Sequence, residues 1–375
     1  NGAWNNRLVL DPDSPSYVRN IRDAGYHTAI IGKTHLWTHG IGGVTDNHTD
    51  QKKQVLEEWG FQDIHELTGP MASSGHDSPY TDYLKERDSL FAYRKYQFEY
   101  LINNYALKQT GKIPEAYEGV VKKYGITVDK DREELWFEPP WPLPEEEHYD
   151  SYVGQKTVDW LDEYKGEDPF FLMVGFPGPH DPFDSPEEYR NLYDQKSIPL
   201  GIMDAPTEPV PEYLQNLLKL SGLDRMTPEH MQEMMAAYYG KVSLIDDYIG
   251  RIVKTLEEKG MLDNTWIVYT SDHGELLGDH QLYHKMTFYE GAVHIPCIIK
   301  PAGGTSAWQC SGLTDQLDLS ATMLDIAGAA PFIESDGRSL MPKILSGMDD
   351  SHAQDGKECL FSELGGLVTI MDGRY

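Results

Sequence analysis

The amino-acid sequence predicts an α/β protein whose central, mainly parallel or mixed sheet is flanked by helices. Three observations carry the prediction. Short apolar runs rich in β-branched and aromatic residues recur along the chain, and between them lie segments whose apolar residues repeat every three or four positions. Clusters of His, Lys and Asp follow several of the predicted strands directly, where an α/β sheet opens a crevice.

A first helix is expected over 15–25, with Val18 and Ile21 on one apolar face and Gly25 as its stop. Thr28-Ala29-Ile30-Ile31 then reads as a buried strand, with Gly32-Lys33-Thr34-His35 just beyond it. The stretch 37–148 is polar and aromatic, with a helix expected around 81–107 and a proline-rich bend from Pro139 to Pro144. It reads as an elaboration that shapes a substrate pocket over the core. Tyr152, Val153, Val158, Trp160 and Leu161 predict a helix, and Phe170-Phe171-Leu172-Met173-Val174 a buried strand.

The clearest helix covers 229–259, where Met234, Tyr238, Val242, Ile245, Ile249, Ile252 and Leu256 make a continuous apolar stripe before Gly260. Thr265 to Thr270 is the next strand, which places Ser271-Asp272-His273-Gly274 at its C-terminal end. Ile295-Pro296-Cys297-Ile298-Ile299 predicts a further strand, and Leu317 to Ile326 a helix with Leu319, Met323, Leu324 and Ile326 facing inward. Residues 1–340 are therefore expected to form the main α/β domain, and 341–375 to begin a smaller C-terminal element.

Charge narrows the partners. With 61 acidic and 32 basic residues among 375, the net charge is −29, which opposes approach to nucleic acid or an anionic membrane. A small anionic substrate instead demands a local site where lysine, histidine or a metal reverses the field. The three cysteines, Cys297, Cys310 and Cys359, contain no CxxC pair and cannot form a disulfide scaffold. No apolar run is long enough for a transmembrane segment. The compartment, whether periplasmic, secreted or cytoplasmic, is not separable from these features.

The chemistry concentrates in Asp272 and His273. A hard oxygen and an imidazole nitrogen on a strand-to-loop bend can face one cation, and Gly274 permits the tight turn after them, although the same triplet also makes ordinary polar loops. Gly278 to Lys285 adds His280, His284 and Lys285 near the same edge, where Lys285 could offset charge on an anion. Lys33 and His35 stand two apart after one strand, and His180 lies between prolines after another. Each has a bland reading as a surface turn or a structural histidine. Their common position after strands favours one shared edge. Trp37, His39 and Trp59 could line a sugar or aryl site or equally belong to the core.

The sequence resembles the sulfatase family, within the alkaline-phosphatase-like hydrolases. The resemblance runs through Ala24 to His35, the strand ending in Pro179-His180, Asp263-Asn264-Thr265 to Lys285, Tyr289-Glu290, His294-Ile295-Pro296 and Asp336-Gly337-Arg338-Ser339-Leu340. It implies an alkaline-phosphatase-like central mixed sheet flanked by helices and a sulfuric-ester hydrolase. Asp272 and His273 would match metal ligands, most simply for calcium, with manganese, magnesium or zinc as alternatives. Lys33 and Lys285 would match lysines on the transferring anion, His35 a histidine beside the nucleophile, and His180 a histidine near the leaving group.

The family's early acidic metal-binding segment and its Cys- or Ser-x-Pro-x-Arg motif, whose first residue becomes formylglycine, have no counterpart here. Ser14-Pro15-Ser16-Tyr17 lacks the arginine, and no cysteine has the required context. The expectation is that the nucleophile segment precedes Asn1 and that the C-terminal element continues past Tyr375. The implied substrate is a small anionic ester or a sulfated carbohydrate, and the implied maturation partner a formylglycine-generating enzyme; an oligomer is left open. Two alternatives stand beside sulfate-ester hydrolysis: a phosphonate-monoester or phosphodiester hydrolase, and a catalytically silent protein that binds anionic carbohydrate.

Overall fold

Ser16 accepts the Arg19 backbone N–H and so starts the first helix, α1 (Tyr17–Asp23), which buries Val18 and Ile21. In the computed structural model the described residues are 10–37, 48–106, 112–128, 139–206, 209–221, 223, 226–346 and 356–373. After α1 the chain enters β1 (His27–Gly32), the middle strand of a parallel sheet. Helix α2 (Lys53–Trp59) leads to its first neighbour, β2 (Asp63–Glu66).

The helix expected around 81–107 is in fact two. Ser78 and Thr81 form a reciprocal capping box at the start of α3 (Pro79–Glu86), which ends before α4 (Leu90–Leu101). Asp88, between them, adopts a left-handed φ of +59°, a conformation no helix interior accommodates. Helices α5 (Glu115–Tyr124) and α6 (Tyr149–Glu163) follow, and then β3 (Phe170–Gly175).

The sheet order is β2-β1-β3, and the register sets Gly32 opposite Gly175. Residues 28–32 of β1 are buried, as a central strand requires. By contrast β3, for which a buried strand was expected, is half-buried throughout, because among the described strands it pairs on one side only.

Helix α7 (Glu212–Ser221) precedes α8 (Pro228–Glu258), which Thr227 caps with Pro228 at the first position and which packs on α6. Its buried face is rotated from the expected stripe. Met234, Ile245 and Leu256 are buried, but Val242 is 40% exposed, and Met231, Ala237, Lys241, Leu244 and Tyr248 complete the inner face.

From α8 the chain passes to β4 (Ile267–Thr270), paired antiparallel with β5 (Cys297–Lys300). Among the described strands these two pair only with each other, an antiparallel pair beside the parallel triplet β2-β1-β3. Asp315 caps α9 (Gln316–Ile326), which lies against α1. Beyond it come α10 (Met341–Ser346) and a hairpin of β6 (Leu360–Leu364) and β7 (Leu367–Met371). Among the described residues no helix is long and apolar enough to cross a membrane.

Candidate active site

Two glycines bring the ends of β1 and β3 together. A Cβ on Gly32 would run into the Gly175 carbonyl, and one on Gly175 into the Lys33 carbonyl; Gly32 also has φ +109°. This close approach lets the Lys33 N–H donate to the Gly175 carbonyl at 2.9 Å, fixing where Lys33 leaves the strand. Behind the turn, Thr34 donates to Glu66 Oε1 and Trp37 Nε1 donates to Glu66 Oε2 at 2.8 Å. Burial pushes the Glu66 carboxyl up to about 7, against the pull of both hydrogen bonds. Burial likewise lowers the Lys33 ammonium, with Lys285 adding to the effect and Asp272, Asp181 and Asp150 opposing it.

The loop after β3 is held from below. Gly178 N–H donates to Asp150 Oδ1 at 2.8 Å, and the peptide bonds before Pro179 and Pro182 are cis. Lys241, fully buried on α8, donates to the carbonyls of His180 (2.9 Å) and Pro182 (3.0 Å), to Asp184 Oδ1 (3.0 Å) and to the Tyr149 hydroxyl. A buried ammonium is tolerable only with such a set of acceptors. Asp184 stays below the ordinary carboxylate range although burial opposes it, because Lys241 and His148 face it.

At the end of β4 the backbone is pinned by α9 and by the 290–293 turn. Gln316 Nε2 donates to the carbonyls of Ser271 and Asp272, each at 3.1 Å, and Gly274 N–H donates to the Ala292 carbonyl at 2.8 Å. His273 Nδ1 lies 2.8 Å from the Gly274 carbonyl, so Nδ1 carries the hydrogen and Nε2 presents a lone pair, 3.6 Å from Asp272 Oδ2. Desolvation works against ionising Asp272, yet His273, Lys33 and Lys285 hold its carboxyl below the usual range.

These three strand ends meet. Lys285 Nζ is 2.6 Å from His180 Nε2, and the His180 and His273 rings stand edge to face with centroids 6.0 Å apart. Burial lowers His35 to about 4, with Lys33 adding to the effect and Asp272 opposing it, so this imidazole is neutral at physiological pH. Lys33, His35, His180, Asp272, His273 and Lys285 therefore occupy one cluster whose cations are two lysines. Such a cluster can receive a tetrahedral anion while the rest of the protein repels it.

The donor chemistry of Asp272 and His273 fits a divalent cation. A histidine that donates Nδ1–H to a carbonyl while leaving Nε2 open is the arrangement ligating imidazoles adopt. Two donors do not complete a coordination shell, and among the described residues no group of three or more His, Cys, Asp or Glu converges.

Other sequence-selected residues go elsewhere. Trp37 and Trp59 are 6% and 8% exposed and belong to the core, and His39 lies outside the described residues. His280 stacks on Tyr289 at 4.1 Å between centroids. Sequence reasoning missed Glu66, Asp150, Asp181, Asp184 and Lys241. For Asp181 a signal existed, its place beside His180 between two prolines; for Lys241 the signal was a lysine seven residues after Met234 and four before Ile245, on the apolar face of its helix.

Fold and cluster together define an α/β protein that collects two lysines, three histidines and an aspartate at the C-terminal ends of its strands. The sulfatase family pattern matches residues 10–329, and the chain belongs to that family. It is 31% identical over 262 residues to the multifunctional alkaline phosphatase superfamily protein PehA of Trinickia caryophylli, covering 62% of this chain and 50% of that protein. It is 28% identical over 403 residues to the choline-sulfatase of Rhizobium meliloti, covering 100% of this chain and 64% of that one. A phosphonate monoester hydrolase from Silicibacter pomeroyi shares the fold, with a TM-score of 0.63 at 24% identity over 96% of this chain and 66% of the other. The chain thus spans about half to two thirds of the length of these relatives.

Proposed function

We propose that this chain forms the anion- and metal-handling part of a sulfuric-ester hydrolase whose formylglycine nucleophile and remaining metal oxygens lie outside residues 1–375. The observation that carries the reading is the contact of Lys285 with His180 beside Asp272 and His273, in a chain of the sulfatase family. Lys33 and Lys285 bind the sulfate oxygens and offset the charge that develops on them. His180 Nε2 accepts from the Lys285 ammonium, and as the sulfur–oxygen bond breaks a Lys285 proton passes by way of Nε2 to the alcohol oxygen, leaving the lysine neutral. Neutral His35 faces the same space without repelling a proton donor. Asp272 and His273 would hold a divalent cation, calcium by family likeness, which would supply Lewis-acid polarisation of the sulfate.

Residues 1–340 form the catalytic unit in this reading, 37–148 shape the pocket, and 341–375 open a smaller C-terminal part. The alcohol is a small or carbohydrate one: a relative's name specifies choline, and others are arylsulfatases. A second reading, phosphonate-monoester or phosphodiester hydrolysis at the same residues, draws on the phosphonate monoester hydrolase whose fold the chain shares.

The test is expression of the complete coding sequence together with a formylglycine-generating enzyme, followed by turnover of 4-nitrophenyl sulfate. Lys285→Ala is expected to lower kcat by about 100-fold or more, and chelation of divalent metal to abolish turnover. A complete protein with formylglycine and metal that cleaves no sulfate ester overturns the proposal.

A further inference from the structure

The residue next to Lys285 is held in an unfavourable conformation whose purpose the reaction outlined above does not explain. His284 has φ +71°, in the left-handed region that disfavours a side-chain-bearing residue and that glycine adopts freely. Its loop is wound in the same way at Leu277, His280 and Gln281. A strained backbone persists where the side chain it aims is used.

The His284 ring is aimed at Asp181. Its Nδ1 lies 3.3 Å from Asp181 Oδ1, and its Nε2 3.1 Å from the Tyr105 hydroxyl, which itself donates to Asp181 Oδ2 at 2.5 Å. A second hydroxyl, from Tyr100, donates to that same Oδ2 at 3.2 Å. Asp181 is 1% exposed, and its Oδ1 is also 2.8 Å from His180 Nδ1, which faces the Asp181 carbonyl at 2.9 Å as well. One buried carboxylate oxygen therefore sits between two imidazoles.

The consequence falls on His180. The Lys285 ammonium can only donate, so the nitrogen facing it, Nε2, must offer a lone pair, and the ring hydrogen must be on Nδ1. The Asp181 backbone carbonyl accepts that hydrogen, and the Asp181 carboxylate, with Oδ1 2.8 Å from the same nitrogen, adds a buried negative charge on the Nδ1 side of the ring. Asp181 keeps its place because His284 and Tyr105 close a ring of contacts on its far side. We propose that His284 is a positioning residue for the reaction, acting through Asp181 to fix the tautomer and orientation of His180 at the leaving-group oxygen. This rests on the role given to His180 above.

His284→Gly separates aim from folding, because glycine removes the backbone penalty together with the ring. Two measurements on the complete, metal-loaded protein test the proposal. In 15N-histidine correlation spectra, the wild type is expected to show His180 locked with hydrogen on Nδ1, and His284→Gly to show averaging over both tautomers. In kinetics, His284→Gly is expected to lower kcat for phenyl sulfate about tenfold more than for 4-nitrophenyl sulfate, whose better leaving group needs less proton donation, with KM little changed and Tm not lowered. His284→Asn, which tolerates the left-handed region and keeps an amide donor toward Asp181, is expected to recover part of the loss.

An unchanged His180 tautomer in His284→Gly, or equal losses with the two esters, overturns the proposal. If the wild type cleaves neither ester, the functional reading fails, and the tautomer measurement still decides whether His284 sets His180.

Discussion

Glu66 governs the Lys33–His35 turn without touching the anion cluster. Its two oxygens accept from Thr34 and Trp37, and burial raises its carboxyl from 4.5 to about 7. Between those values the folded protein binds a proton that the unfolded chain has released. The contribution to stability is thus full below about pH 4.5 and is lost as pH rises through about 7, a difference of about 3 kcal/mol by the usual conversion. Glu66→Gln can still accept from Trp37 through Oε1 and donate to Thr34 Oγ1 through Nε2. The variant is expected to lose this part of the pH dependence, so its Tm relative to wild type rises between pH 5 and pH 8. A constant Tm difference across that range would show that Glu66 ionises at the same pH folded and unfolded.

On the scale of elements, the site depends on contacts made below it. Lys241 ties α8 to the loop after β3 by bonding the His180 and Pro182 carbonyls and Asp184. Lys241→Met strands the buried Asp184 charge and is expected to cost about 3–5 kcal/mol, whereas the double change with Asp184→Asn recovers much of it. Denaturant unfolding of the three variants measures this, and additive losses would contradict a coupled pair.

Gly175→Ala presses a Cβ on the Lys33 carbonyl and is expected to lower both stability, by about 1–3 kcal/mol, and affinity for inorganic sulfate. Titration calorimetry with sulfate checks the second effect. Neither device was legible in the sequence. Lys241 falls on the same helical face as Met234 and Ile245, but a lysine there gives no sign of the acceptors it will meet, and the need for Gly175 exists only once β1 and β3 are in register. What was legible was local: Val18 and Ile21 on α1, Leu319 and Leu324 on α9, and polar residues at the ends of β1, β3 and β4.

Across the whole molecule, the order of motifs carried more than any single one. Lys33, His180, Asp272 and Lys285 are far apart in sequence, and the strand ends bring them to one edge, as the alternation of helices and strands implied. The pattern could not show how the strands divide between sheets. Apolar composition predicts burial of Phe170 to Val174, but burial depends on a neighbour on each side, and β3 has β1 alone among the described strands.

Acidity is likewise uneven in its consequences. A net charge of −29 repels anions at long range, while two lysines beside one carboxylate invert the field locally. Raising ionic strength is therefore expected to speed association with a small sulfate ester until screening reaches the cluster itself.

A cluster built for sulfate transfer, assisted by a metal on Asp272 and His273, must show in kcat/KM for the sulfate and the phenylphosphonate esters of 4-nitrophenol. The measurement uses the complete protein bearing formylglycine and metal, with Asp272→Asn alongside. The prediction is a higher kcat/KM for the sulfate ester and loss of both activities in Asp272→Asn; faster phosphonate turnover, or sulfate turnover untouched by Asp272→Asn, would contradict it.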